Sequence, residues 1–441
     1  SGTHTFSNTT TSITSLSAAT GAIGTSLTIN GGGFDTTPGN NTVKFGTTVA
    51  TVTAASATSL TVTVPEMTAG TYNVTVTVGG STNGGTNNFG VQPRTTGLSV
   101  GSGIAGSSVT VSGLGFDPTL TTNNTVKFGT VSATVTNATA TSLTVTVPSG
   151  IGNSKNVTVT VGGQTSTDTT PFEVIPVITS LNSTTGIVGS FVTITGTGFD
   201  NSAVGNNIVK FGNTTGTVQS VTGSTSMSVQ VAGIAGPQTV RLTIGNQINA
   251  ETNFSYTIKT TLLSMTAASG ACSPNCNGII TSTLTLTGAG FDYETPSNNI
   301  VTFNHTSAPT NTTQATVSAA TATTLTVTVP EGIYGSQNVL VTVNSQTNTG
   351  THIFGVKPLI SQLSPTSGNT SDTILMTGTG FDPNAPANNF VKFVGLGASI
   401  TVTNPTTTSL NFSVPNVVAG NYNVTVQVGT VTSASSPFTH N

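Results

Sequence analysis

The sequence predicts an all-β chain: five tandem Ig-like β-sandwich domains in a semi-rigid rod, with an extra N-terminal strand. Three observations carry this. The tripeptide Gly-Phe-Asp recurs at Gly33-Phe34-Asp35, Gly115-Phe116-Asp117, Gly198-Phe199-Asp200, Gly290-Phe291-Asp292 and Gly380-Phe381-Asp382, at spacings of 82, 83, 92 and 90 residues. Self-similarity at a fixed period marks a chain of repeated units. Around each tripeptide the sequence alternates apolar and Thr positions, the period of half-buried strands. No stretch of 12 residues shows an apolar 3.6 period, so no helix is predicted.

Each unit carries further markers in a constant order. After Gly-Phe-Asp comes NNTVKFG at 40–46 and 123–129, NNIVKFG at 206–212, NNIVTF at 298–303 and NNFVKF at 388–393. A strand running into proline follows, ending at Pro65, Pro148, Pro330 and Pro415; the third copy reads SMSVQVAG and lacks it. The next strand reads YNVTVTV at 72–78, NVTVTV at 156–161, TVRLTI at 239–244, NVLVTV at 338–343 and YNVTVQV at 422–428, and a Phe-containing strand closes the unit. About seven short strands per 80–90 residues, parted by Gly, Pro and Asn turns, are the pattern of an Ig-type sandwich. A unit of this size buries one core of its own. Length alone predicts roughly three domains; the repeats predict five.

The expected units are residues 1–12 as the extra strand, then 13–93, 94–176, 177–258, 259–357 and 358–441. The joints VQPRTTGLSV, VIPVITSL and VKPLISQL pass almost directly from a last strand into a first one. Pro93, Pro176 and Pro358 restrict φ there, unlike flexible Gly/Ser linkers. With strands rising about 3.3 Å per residue, a domain is roughly 35–40 Å long and five span on the order of 170–200 Å. The N-terminus, Thr3-His4-Thr5-Phe6, matches the closing Thr351-His352-Ile353-Phe354 of the fourth unit. It therefore reads as a sixth closing strand for five domains. A lone strand must pair its backbone groups, and the predicted partner is a sheet edge of a neighbouring subunit, by strand addition. The partner is thus the chain itself, head to tail.

These markers resemble the IPT/TIG domain, an Ig-like module. The opening of its pattern is matched by Pro365-Thr366-Ser367-Gly368 and Thr377-Gly378-Thr379-Gly380-Phe381, its "V.FG" by Val43-Lys44-Phe45-Gly46, and its proline-ended strand by the segment Ser56 to Pro65. The resemblance implies the Ig-like fold. It implies spacer roles in bacterial and archaeal surface proteins, receptor ectodomains or DNA-binding factors, the last with basic loops that this chain lacks.

Composition excludes several functions. Only 9 basic and 12 acidic residues occur in 441, a charged fraction of 5% against a usual value of roughly 25%. A basic patch for nucleic acid cannot be assembled. No Ser-His-Asp set or HExxH motif appears, so no enzyme and no cofactor are predicted. No run of about 18 apolar residues is present, so no membrane span is predicted. Thr, with 97 residues, fills the outward positions. The five aspartates read as Asx turns rather than as Ca²⁺ ligands, which need six to eight oxygens. Cys272 and Cys276, parted by a Pro-Asn turn, read as a local disulfide; two thiolates without partners make no zinc site, and no metal is expected. Lys44, Lys127, Lys210 and Lys392 sit between apolar neighbours and should face solvent. Tyr72 and Tyr422 stand where a tyrosine corner would lie. Fourteen N-glycosylation sequons occur, and Asn73, Asn156 and Asn423 occupy equivalent strand starts, so attached glycans are possible partners of this surface.

The expected function is that of an extracellular, cell-surface structural protein that assembles head-to-tail into a filament or array. The alternative is an adhesin or ligand-binding stalk of Ig-like modules.

Overall fold

A computed structural model of the chain describes residues 10–250, 254–267, 270–271, 276–308, 311–397 and 400–441. Among these residues the only helical elements are five 3₁₀ turns, and everything else regular is β-strand. Five sandwiches follow one another along the chain.

Domain 1 shows the plan. One sheet has the order Ser12–Leu16, Ser26–Gly32, Ser59–Thr63, Val52–Ala55. The facing sheet has the order Thr20–Ala22, Asn88–Gln92, Gly70–Val78, Asn41–Phe45, Thr48–Ala50. All pairings are antiparallel except one: the short Thr20–Ala22 runs parallel to the closing strand Asn88–Gln92. That parallel cover recurs in every domain, on closing strands Thr170–Val174, Ser255–Lys259, Ile353–Val356 and Ser436–His440. Each domain is therefore closed by a strand of its own sequence. In domains 2 and 4 a single strand, Val131–Ala138 or Thr312–Ala320, pairs first in one sheet and then in the other, joining the two into one wrapped sheet.

Alternation becomes burial directly. In Asn41–Phe45, Val43 and Phe45 are buried while Lys44 points out; Lys127 and Lys210 do the same, and Lys392 is half-buried. The outward threonines pair across strands through their hydroxyls, as Thr77 with Thr82 at 2.8 Å and Thr160 with Thr165 at 2.8 Å. Such pairs hold the sheet face together without charge.

Five separate hydrophobic clusters fill the sandwiches. Each centres on an edge-to-face aromatic pair between the VKF-type strand and the closing strand: Phe45–Phe89, Phe128–Phe172, Phe211–Tyr256, Phe303–Phe354 and Phe393–Phe438, with centroids 5.2–5.5 Å apart. The geometry suits the ring quadrupoles, and each pair contributes about 0.5–1.5 kcal/mol beyond its buried area.

The Gly-x-Gly-Phe-Asp motif has a steric reason at each position. The Phe ring folds back over the first glycine. A Cβ on Gly196 would lie 2.6 Å from the Phe199 ring and 2.0 Å from the Val177 carbonyl oxygen; Gly31, Gly113, Gly288 and Gly378 are equally closed in. The second glycine has φ between +74° and +83° in all five copies, a left-handed conformation that favours glycine.

Candidate functional site

The Asp of each motif organises the loop behind it. Asp35 Oδ1 accepts from the Thr37 N–H at 2.7 Å, and Oδ2 accepts from Asn40 Nδ2 at 3.0 Å. Asn41 completes the clasp: its Oδ1 accepts from the Asp35 N–H and its Nδ2 donates to the Asp35 carbonyl. The same bonds join Asp117 to Asn123 and Asn124, Asp200 to Asn206 and Asn207, Asp292 to Asn298 and Asn299, and Asp382 to Asn388 and Asn389. The Gly-Phe-Asp and Asn-Asn markers are thus two halves of one lock, and the carboxylates are spent on it. Hydrogen bonds lower the Asp35 and Asp117 carboxyls, led by the Thr37 N–H and the Thr119 side chain respectively. At Asp200 burial pushes upward, but donors from Ser202, Asn206 and Asn153 outweigh it and hold the carboxyl at about 2. Among the described residues no group of three His, Cys, Asp or Glu could hold a metal ion.

This lock faces the preceding domain, and there the structure adds what the sequence did not signal. Six residues before the first valine of the NVTVTV-type strand lies an apolar or Thr residue, followed by a small one: Thr68-Ala69, Ile151-Gly152 and Ile234-Ala235, with Ile333-Tyr334 as the variant. These pairs are the sockets of the domain joints. The Ala69 N–H donates to the carbonyl of Gly115 at 2.9 Å, and the Ala235 N–H donates to the carbonyl of Gly290 at 2.9 Å. At the second joint a Cβ on Gly152 would stand 2.1 Å from the Phe199 carbonyl oxygen, and Asn153 Nδ2 donates to Asp200 Oδ2 at 2.8 Å. At the fourth, Asn384 Nδ2 donates to the Tyr334 hydroxyl, whose ring lies tilted by 42° against His305 with centroids 4.7 Å apart.

Two other elements brace some of the joints. The linker proline packs on the second glycine of the motif, since a Cβ there would meet the Cα of Pro93 at 3.3 Å, of Pro176 at 3.1 Å and of Pro358 at 3.3 Å. The hairpin at the end of the long strand reaches back to the previous socket: Gln164 Nε2 donates to Thr71 Oγ1 at 3.2 Å, and Asn344 Nδ2 to the Ala235 carbonyl at 2.9 Å. The socket loop is itself tethered. Tyr72 Oη donates to the Thr68 carbonyl at 2.8 Å and Tyr422 Oη to the Val418 carbonyl at 2.7 Å. In domain 3 Gln238 Nε2 holds the Ile234 carbonyl instead, at 2.9 Å.

The other residues singled out in the sequence lie apart from these joints or outside the description. Thr3, His4, Thr5 and Phe6, and with them the body of the extra strand, lie outside the described residues, as does Cys272. Cys276 is fully buried at the start of Cys276–Gly278, which pairs with the closing strand Ile353–Val356, and no described cysteine is free. Asn156 and Asn423 are exposed; Asn73 is half-buried, its Oδ1 accepting from the Asn87 N–H at 2.6 Å. Among the described residues no helix is long and apolar enough to cross a membrane.

No curated protein matches the chain. Among solved structures it is similar to the plexin A4 extracellular region, at 14% identity and a TM-score of 0.19, covering 96% of this chain and 43% of that one. It is similar to the Escherichia coli adhesin FdeC, at 16% identity and a TM-score of 0.17, covering 56% and 96%. It is also similar to surface layer protein SbsC domains 1–6, at 14% identity and a TM-score of 0.14, covering 98% and 66%. The chain spans less than half the length of the plexin chain. The IPT/TIG domain matches residues 11–92, 93–174, 176–256 and 358–440, and the unmatched stretch between the last two folds as a fifth copy of the same sandwich. The chain belongs to the IPT/TIG domain family.

Proposed function

We propose that the protein is an extracellular structural component of a cell surface, a string of Ig-like modules that associates head-to-tail into a filament or array. The observation that supports this best is the repetition of the joint. Sequential domains meet through the same socket and the same Gly-Phe-Asp lock, so the modules are built to stack on one another rather than to tumble on loose linkers. A surface solubilised by Thr and Asn, poor in the edge charges that block sheet-to-sheet pairing, fits the same role. In this reading the strand at Thr3, His4, Thr5 and Phe6 adds to a sheet edge of a neighbouring copy, and a head-to-tail contact of that kind extends into an open filament unless it closes into a ring. Because each domain is already closed by its own strand, the donated strand lies along an outer edge.

Secretion gives Cys272 and Cys276 the oxidising setting in which they bridge, and places Asn73, Asn156 and Asn423 within reach of glycosylation. Electron microscopy and sedimentation of the purified chain test the assembly. Concentration-dependent filaments that disappear when residues 1–12 are deleted support the strand-addition reading. Undiminished filaments from the deleted protein reject it, and dispersed single particles at every concentration reject self-assembly altogether. Intact mass before and after reduction and alkylation reads out the bridge, and mass above 43.9 kDa reads out the sugars.

A further inference from the structure

The parallel cover strand stands where tension along the chain would act on it. In domain 2 the chain enters from the first joint through Arg94–Leu98 and the cover strand Ser102–Gly103, and leaves for the second joint through the closing strand Thr170–Val174. Cover and closing strands run parallel, with Ser102 opposite Glu173 and Gly103 opposite Val174. Drawing the two joints apart therefore pulls these neighbours in opposite senses along their common direction. The bonds between them run across that direction: the Glu173 N–H donates to the Gly101 carbonyl at 2.8 Å, and the Ile175 N–H to the Gly103 carbonyl at 2.9 Å. Bonds loaded in this way share the force and fail together, whereas a strand peeled from one end loses its bonds one at a time. The joints leave little slack: one residue, Pro93, parts Asn88–Gln92 from Arg94–Leu98, and two, Ile175 and Pro176, part Thr170–Val174 from Val177–Leu181.

The arrangement recurs in the neighbouring domains. The Gly90 N–H donates to the Ala19 carbonyl at 2.9 Å, the Thr257 N–H to that of Thr184 at 2.7 Å, and the Lys357 N–H to that of Gly278 at 2.7 Å. The cover strand is also fixed from two further sides. Its glycine lies against the aromatic ring of the closing strand: a Cβ on Gly103 would stand 3.2 Å from the Phe172 ring, one on Gly21 2.9 Å from Phe89 and one on Gly278 2.9 Å from Phe354. Just beyond it, reciprocal bonds tie the chain to Val147, at the end of Ser142–Thr146 in the sheet of the opening strand. The Gly106 N–H donates to the Val147 carbonyl, and the Val147 N–H to the Ser107 carbonyl, each at 2.9 Å. The same pairs join Gly24 and Thr25 to Val64, Gly189 and Ser190 to Val231, and Thr281 and Ser282 to Val329. Load on the cover strand is thus passed into the core of the sandwich and not into a loose loop.

We infer that the chain bears mechanical tension, each domain acting as a clamp whose cover and closing strands resist being slid past one another. Resistance of this kind is a rate of unfolding under load and not an equilibrium stability. The inference goes beyond assembly, because it holds for a filament of many copies and for a single stalk alike.

The test is single-molecule force spectroscopy of the full chain. The parent is expected to resist and then unfold in successive events, each releasing about 80–90 residues, roughly 250 Å of chain. Glu173→Pro removes the N–H that donates to Gly101. It is expected to make one event occur at least about tenfold sooner at a fixed force, the scale of losing one or two backbone bonds. Val126→Ala alters a fully buried side chain of the same domain away from the clamp. It is expected to lower the urea midpoint while leaving the time to unfold under force near the parent's. If Glu173→Pro shows one event fewer than the parent, domain 2 has not folded in it. The milder Gly103→Ala, which presses only on the Phe172 ring and the Ser107 hydroxyl, then takes its place with the same expected direction. A parent that extends without resistance, or clamp variants that unfold no sooner than Val126→Ala, overturns the inference.

Discussion

Asp200 and Asn207 clasp each other through backbone and side chain at once: the Asp200 N–H donates to Asn207 Oδ1 at 3.0 Å, and Asn207 Nδ2 returns a bond to the Asp200 carbonyl at 2.7 Å. Both residues are buried. Removing the amide leaves a buried donor and a buried acceptor without partners, each costing about 1–3 kcal/mol. Asn207→Leu is therefore expected to destabilise domain 3 by at least about 2 kcal/mol, read as a fall in its urea midpoint, whereas Asn246→Leu in the exposed hairpin should change it little. A midpoint unmoved by Asn207→Leu contradicts a structural role for the clasp.

The first glycine of each motif admits no side chain. Gly196→Ala places a methyl 2.0 Å from the Val177 carbonyl oxygen and 2.6 Å from the Phe199 ring. Opening strand and core ring must both shift, at the upper end of the usual overpacking cost of about 1–3 kcal/mol. The same change at Gly205, where a Cβ meets nothing within 4 Å, should be neutral. Thermal denaturation of the two variants side by side checks the contrast.

Acid should loosen domain 3 through Asp200. Its carboxyl is held at about 2, below the ordinary 3.8 it regains on unfolding. A lowered folded value means that the unfolded chain binds the proton first, so the contribution is complete above about pH 3.8 and is lost as the pH falls through about 2. Asp200→Asn is expected to remove this acid-dependent component while lowering stability at neutral pH. Urea midpoints from pH 5 down to pH 2 measure it. Parent and variant curves running parallel throughout contradict the assignment.

The joint between domains 3 and 4 should depend on one methyl group. Ala235 is fully buried, donates to Gly290 and accepts from Asn344. Ala235→Asp puts a carboxylate where only a small apolar side chain is enclosed. The expected outcome is a broader distribution of interdomain distances by small-angle X-ray scattering, with the circular-dichroism signature of the strands retained. An unchanged distribution means that the linker, not the socket, sets the joint.

Much of this molecule was legible in its sequence because the relevant patterns are local. Alternation in Leu60-Thr61-Val62-Thr63-Val64 specifies which face is buried, since successive side chains leave opposite faces of a strand. The recurring Gly-Phe-Asp marked the repeat, whereas the reason its glycines exclude a side chain appears only in the packing. The markers also showed that Asp35 and Asn41 recur together, yet not that they bind one another. The sockets were invisible for a different reason. Ala69 carries no chemical signature, and its partner Gly115 lies 46 positions away in the next domain.

Composition, repeat length and period therefore determined the number of modules and the fold of each. Which loop of one module meets which turn of the next was decided by tertiary structure alone. A strand's burial follows from its own alternation, whereas a joint exists only where two separately folded surfaces bring an N–H, a carbonyl and a small side chain to the same point.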